Sequence, residues 1–414
     1  MNRLVIIGNG FDLAHGLKTR YEDFINWYWD KRVDDFVGNT TNVSEDCLCK
    51  LTIKESSNIS CWNVFAFEYS YFKDFRGNRT SLGYDVIKEI RNRPDIFDVE
   101  STQFFQAILH SIETKGWVDI ENDYYDLLIK YAKEESPKEK IDELNKQLSF
   151  LQEKLIEYLS RVNSQEVSIN DNIKNRIYAP FCEKDIAIEG KQALDEHIKY
   201  GVNLDDKEWE HKLWQYGKDI ASCMPYVQSF KQRYEKGEEI LECDKTEILL
   251  PNQIMLLNFN YTKTADLYVS SQSDFAINHI HGKLEKPDSV IFGYGDELDE
   301  NYKKLENLRE CDGLHNIKSI KYLEAESYRK VLAFIESDFY QILIMGHSCG
   351  NSDRTLLNTL FEHKNCVSIK PYFHKIDQQK TNYLEIAQNI SRNFTDMKLM
   401  RDRVVNKVYC EPLT

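Results

Sequence analysis

The sequence predicts an α/β fold in which a parallel sheet is interrupted by a large, mostly helical insertion. Three observations carry that expectation. Short apolar runs recur near both ends of the chain, and two of them close on a glycine, Gly8 and Gly346. Stretches of helical period alternate with the later runs. Between about residues 116 and 250 the pattern changes to helical spacing. Strand, turn and helix in alternation argue for an open α/β sheet.

The first run is residues 4–7. Five more follow at 254–257, 276–280, 290–292, 342–345 and 366–369. Runs this short, with no polar face, read as strands covered on both sides, which points to a parallel sheet. Thr19-Arg20-Tyr21-Glu22 has the form of a capping box, so a helix is expected from Thr19 with Tyr21, Phe24, Ile25 and Tyr28 on one face. Ser136-Pro137-Lys138-Glu139 repeats that form with proline at the first helical position. After it Ile141, Leu144, Leu148, Leu151, Leu155 and Tyr158 recur at spacings of three and four. A seam of under three heptads is short for a coiled coil, so one helix of a helical hairpin is expected in preference to a dimerisation seam. Leu356, Leu357, Leu360 and Phe361 predict a helix over 352–361, and Tyr383, Ile386, Ala387 and Ile390 another over 381–394. Residues 36–115 are aromatic-rich and show no clear period. The expected division is 1–35 with 246–414 for the sheet domain and 36–245 for the helical insertion.

The chain has 414 residues, 42% of them hydrophobic and 29% charged, which excludes a mostly disordered protein. Lys and Arg number 53 and Asp and Glu 68, giving a net charge of −15. Such a protein is a poor general binder of nucleic acid or anionic lipid. No apolar run approaches the roughly 20 residues needed to span a bilayer. The opening run is too short for a signal-peptide core, so a cytoplasmic protein is expected. The 10 cysteines are scattered without a C-x-x-C pair. Free thiols are therefore expected, with no zinc ribbon and no metal.

Four loops carry candidate chemistry. Gly8-Asn9-Gly10-Phe11-Asp12 follows the first run, and glycines there let backbone amides approach a phosphate, with Asp12 suited to a ribose hydroxyl. The alternative is a turn that merely joins strand to helix. Asn258-Phe259-Asn260-Tyr261-Thr262 closes the second run, where open parallel sheets present ligand loops. His281-Gly282 closes the third and offers a base of near-neutral pKa. His279 alternates with His281, and periodicity alone does not exclude it. Gly346-His347-Ser348-Cys349-Gly350-Asn351-Ser352-Asp353 closes the fifth, as a phosphate or ribose loop or as a tight connection in which Ser352 caps a helix. In the middle region Trp117-Val118-Asp119-Ile120-Glu121 reads either as a helix start capped by Asp119 or as a catalytic segment.

These motifs, with Gly16-Leu17 and the segment from Trp117 to Glu121, resemble the AbiH-type abortive-infection proteins of bacteria over nearly the whole chain. At a deeper level the first loop, Asn260-Tyr261, His281-Gly282 and the Gly346 turn are similar to the sirtuin-like, Rossmann-like fold of anti-phage NAD hydrolases. The resemblance implies an abortive-infection effector that hydrolyses NAD to nicotinamide and ADP-ribose, with Asn260 and His281 catalytic. It implies Gly8, Asn9, Gly10, Phe11, Asp12, Asn258, Gly346, His347 and Ser348 at the cofactor, with NAD as substrate. The glycine loop would cradle the pyrophosphate, and Gly346 and Ser348 would lie at the adenosine ribose. A homo-oligomer or a complex with an operon-encoded protein is implied as well, with a phage trigger that releases a latent activity. Sirtuins carry serine where this chain has Asp12 and aspartate where it has Thr262. The zinc-binding cysteine quartet of deacetylases is missing, which argues against a protein deacylase. The alternative function is a nucleotide-binding sensor without hydrolase activity, acting through a partner.

Overall fold

A computed structural model describes residues 1–38, 43–54, 83–115, 119–238, 245–269, 275–308, 312–377 and 380–414. Its centre is a five-stranded, all-parallel sheet. The strands are β1 (Asn2–Ile7), β5 (Ile254–Asn258), β6 (Ala276–His279), β7 (Tyr340–Met345) and β8 (Cys366–Tyr372), in the order β6-β5-β1-β7-β8. The chain thus begins in the middle, builds outward on one side and then crosses back to the other. β1 pairs with β5 at Val5 opposite Leu256 and with β7 at Val5 opposite Leu343.

Both faces of the sheet are covered, which is why β1, β5 and β7 carry no alternation and are buried throughout. Leu4 and Ile6 pack with the helices Ser327–Ser337 and Arg354–Glu362. Val5 and Ile7 pack with Phe11, Ile173, Ile177 and Tyr268 on the opposite face. A third cluster joins Met1 and Val367 to Trp209, Val227 and Phe230 from the helices of the middle region. The fold is therefore α/β and Rossmann-like, with the parallel sheet the sequence predicts.

The segment without legible period holds a second sheet. Strands β2 (Val43–Glu45), β3 (Cys49–Ile53) and β4 (Phe97–Ser101) form an antiparallel three-stranded sheet in the order β2-β3-β4. It shares a core with Phe24, Tyr28, Trp29 and Phe105. The helix Lys138–Val162 buries Ile141, Leu144, Leu148, Leu151, Leu155 and Tyr158 in that same core, so its seam is closed within the chain.

Several expectations need correction. Residues 290–292 do not form a strand: Ile291 N–H donates to the His281 carbonyl at 2.9 Å, and Gln152 Nε2 donates to the Val290 carbonyl at 3.0 Å. These residues are apolar because they are buried without pairing, Phe292 in the core of the insertion and Ile291 in that of the parallel sheet. The third run ends as a strand at His279, two residues before His281. The helix expected from Thr19 begins at Tyr21, because the Thr19 hydroxyl turns to Asn9 Oδ1 and Asp23 takes the Arg20 N–H. The helix after Ser136 begins at Lys138 with Pro137 at its N-cap and no side-chain cap. The seven described cysteines are free. Among the described residues no helix is long and apolar enough to cross a membrane.

Leu151 is fully buried in the insertion core. Leu151→Ala should lower unfolding stability by about 2–5 kcal/mol, read by urea denaturation, without changing the oligomeric state by light scattering. A shift in oligomeric state would assign the seam to an intermolecular contact instead.

Candidate functional site

In an open α/β sheet, ligands sit beyond the carboxyl ends of the strands where the order reverses. Here that point lies between β1 and β7, and the two glycine turns leave the sheet side by side. A cleft of about 670 Å³ opens there. It gathers Gly8, Gly10 and Asp12 after β1, Asn260 and Tyr261 after β5, His281 after β6, and Gly346, His347 and Ser348 after β7. Asp119 and Glu121 enter from the start of the helix Ile120–Tyr131, and the helix Tyr383–Arg392 contributes Asn389 and Arg392.

The two glycine turns interlock. Gly10 N–H donates to the Gly346 carbonyl at 2.8 Å, Gly8 N–H to Met345 at 3.2 Å and Phe11 N–H to Gly8 at 2.9 Å. Gly346 sits at φ +75°, and a Cβ there would lie 2.2 Å from Phe11 N. A Cβ on Gly10 would lie 2.8 Å from Gly346 Cα, and one on Gly8 2.5 Å from His347 Cα. Close approach of one backbone to another therefore requires these glycines. The expectation that the amides of Gly8, Gly10 and Phe11 aim at a phosphate is corrected, since all three are engaged within the protein.

Other expected site residues divide by depth. Asn9 and Ser348 are exposed at the cleft, whereas Phe11 and Asn258 are fully buried and do not line it. Phe11 packs on His15 and Tyr268. Asn258 braces the loop after β5, donating to the Thr262 carbonyl at 3.2 Å and accepting from Asn260 N–H at 3.0 Å. His279 faces away from the cleft, held between Asn258 and the Asp266 carboxylate. Asn260 bridges the two sides, its Nδ2 donating to the Gly8 carbonyl at 3.0 Å. The Thr262 hydroxyl donates to Asp12 at 2.7 Å, so the two positions that depart from the sirtuin pattern are bonded to each other. Burial pushes the Asp12 carboxyl up despite that bond.

The chemistry-bearing core is a buried ionic network. Lys318 Nζ lies 2.9 Å from Glu121 Oε2 and 2.9 Å from Asp353 Oδ1. Asp353 Oδ1 is also 3.2 Å from His281 Nε2, and its Oδ2 is 3.5 Å from His347 Nε2. Gly293 N–H donates to Glu121 Oε1 at 3.1 Å, and His281 Nε2 lies 3.2 Å from the Tyr322 hydroxyl. Burial alone would lower the Lys318 pKa, but Asp353 and Glu121 raise it above the ordinary lysine value. Burial opposes the Asp353 charge, yet Lys318 and His281 hold that carboxyl well below the usual range. Burial, reinforced by Asp353 and Asp119, pushes Glu121 up to about 7 against the pull of Lys318. Burial and then Lys318 lower the His281 pKa, which keeps the ring neutral at pH 7.

Lys318 and Asp353 are the residues of this network that sequence reasoning did not single out. Lys318 lies in a stretch without period, and nothing local marks it. Asp353 sits in the quoted turn, where it reads as part of a helix cap; its charge partners come from elsewhere in the chain. Asp119 does cap its helix, accepting from Asn122 N–H at 3.1 Å, and it lines the cleft together with Glu121. The cap reading of that segment therefore holds for Asp119; Trp117 and Val118 lie outside the described residues. Among the described residues no group of His, Cys, Asp and Glu is arranged to hold a metal.

A family model described as bacteriophage abortive infection AbiH matches residues 4–374. Neither a curated protein nor a solved structure matches the chain.

Gly10→Ala should cost about 1–3 kcal/mol of stability with no nucleotide present, read from the urea midpoint; an unchanged midpoint would return this glycine to a ligand role. Lys318→Met strands two buried carboxylates and should cost about 3–5 kcal/mol at pH 7. The deficit should narrow as pH falls toward 4. In wild type the depressed Asp353 pKa contributes stability above the unfolded carboxylate value of about 4, lost on acidification. In the variant the orphaned carboxylates are raised instead and regain stability by protonating. A deficit constant from pH 7 to 4 in chemical denaturation would contradict this network.

Proposed function

The chain belongs to the AbiH family of bacteriophage abortive-infection proteins, and from that premise we propose that its cleft hydrolyses NAD to nicotinamide and ADP-ribose. One observation supports this reading above the rest. Asn260 and His281, residues from separate strand ends, share a single cleft with the interlocked glycine turns at the switch point of the sheet.

The reaction breaks the bond between the ribose C1′ and the nicotinamide nitrogen. The bonding pair goes to the pyridinium ring, so nicotinamide leaves neutral and no strong acid is required. Water attacks C1′ of an oxocarbenium-like ribose, as in glycosidic cleavage generally, and its proton passes to a base. His281 suits that task because burial and Lys318 keep it neutral. The Asp353 carboxylate at 3.2 Å draws the ring proton to Nε2, leaving the Nδ1 lone pair as the base. Asn260 Nδ2 is engaged by Gly8, so its Oδ1 is left to orient the water. The carboxyl groups of buried Asp12 and half-buried Asp119 give the cleft an acidic wall suited to a cationic ring. In an abortive-infection protein such an activity is latent until infection.

Purified protein incubated with NAD, with and without extract of phage-infected cells, should release nicotinamide and ADP-ribose. His281→Ala should lower kcat by about 10²–10⁴-fold with the thermal midpoint retained, and Asn260→Ala should also lose turnover. On the acid side the rate should fall only below the ordinary histidine value of about 6.5, because the lowered pKa keeps the base unprotonated there. Wild-type turnover in His281→Ala would remove the base assignment. Tight NAD binding without turnover under both conditions would replace the hydrolase by a nucleotide sensor.

A further inference from the structure

A dinucleotide brings two negative phosphates into this cleft, and the turn expected to receive them is already engaged. Gly8, Gly10 and Phe11 give their N–H groups to protein carbonyls, which leaves Asn9 as the one exposed residue of that turn whose amide has no partner among the described residues. The cleft is otherwise acidic, with Asp12, Asp119, Glu121, Asp353 and Glu385 along its wall. Two permanent cations line it among the described residues, Lys318 and Arg392. Lys318 is 1% exposed and held between two carboxylates, so it has no charge to offer.

Arg392 differs on each count. It is exposed at the mouth of the cleft, and among the described residues no carboxylate pairs with it. Its Nη1 donates to Asn389 Oδ1, and Asn389 Nδ2 donates in turn to the Ser348 carbonyl at 2.9 Å. That chain of contacts ties the guanidinium to the turn after β7. In the same turn the Ser348 N–H has no partner among the described residues, and Cys349 holds φ +56°, a left-handed conformation. A planar guanidinium tied through Asn389 to a turn that carries a free amide and a hydroxyl is a donor set for phosphate oxygens.

We propose that Arg392 and the Ser348 turn, and not the glycine turn after β1, bind the phosphates of the nucleotide. This rests on the NAD reading above and deepens it. The ligand then lies with its phosphates at the rim and its cationic ring against the acidic wall, so charge alone sets its direction in the cleft.

The test is isothermal titration of the full chain with NAD, with nicotinamide riboside, which carries no phosphate, and with inorganic pyrophosphate. Wild type is compared with Arg392→Gln and Arg392→Lys. Arg392→Gln should weaken NAD and pyrophosphate about tenfold, the loss of one exposed charge-assisted contact, and leave nicotinamide riboside unchanged. Arg392→Lys should recover part of the loss. Undiminished NAD and pyrophosphate affinity in Arg392→Gln would overturn the proposal, as would an equal loss for nicotinamide riboside. If wild type binds pyrophosphate through Arg392 but binds neither NAD nor the riboside, the hydrolase reading fails and the anion site stands. If wild type binds none of the three, both fall.

Discussion

One buried ammonium organises the cleft. Lys318 sits between Glu121, on the helical insertion, and Asp353, on the turn after β7. Burying three charges is costly unless each is paired with good geometry, so the contact sets the insertion helix, the Lys318 segment and the β7 turn relative to one another. Its effect reaches the two imidazoles, since the Asp353 carboxylate that Lys318 holds ionised is also the group facing His281 and His347. A change at Glu121 is therefore felt at His281 through three successive contacts, by way of Lys318 and Asp353, without direct contact between them.

The second constraint is steric. β1 and β7 are neighbours, and their turns leave the sheet so close together that a single methyl group on Gly8, Gly10 or Gly346 meets backbone. The interlock brings one wall of the cleft against the other. It also engages the amides a phosphate would otherwise use. A glycine-rich turn at a switch point is often read as a phosphate cradle; in this protein the same glycines serve backbone contact, and the cation at the rim becomes the natural anion site. The cleft is accordingly polarised, acidic at depth and basic at one edge of its mouth, in a protein whose net charge is −15.

Much of the fold was legible because burial on both faces removes alternation. The runs at 4–7, 254–257, 276–280, 342–345 and 366–369 fall on the strands of the parallel sheet, and the loops after β1, β5, β6 and β7 meet in one cleft. The run at 290–292 looked the same and is not a strand, because apolar character reports burial and not ladder pairing. The small antiparallel sheet was invisible: its strands are three to five residues long, too short to establish a period. Asn258 and Phe11 were read as ligand contacts from their place in a motif, but both point into protein, where Asn258 braces the loop that presents Asn260.

By itself the sequence determined the class of fold, the strand ends at which chemistry could sit and the identity of the histidine and asparagine there. Local spacing carries that information, since strand burial and turn residues are properties of a few consecutive positions. Tertiary structure decided which charges face one another. Glu121, Lys318 and Asp353 are separated by 197 and 35 positions along the chain, and no periodicity links residues so far apart. Tertiary structure also decided the purpose of the glycines, because a close approach between two backbones exists only once both turns have been brought together by the sheet.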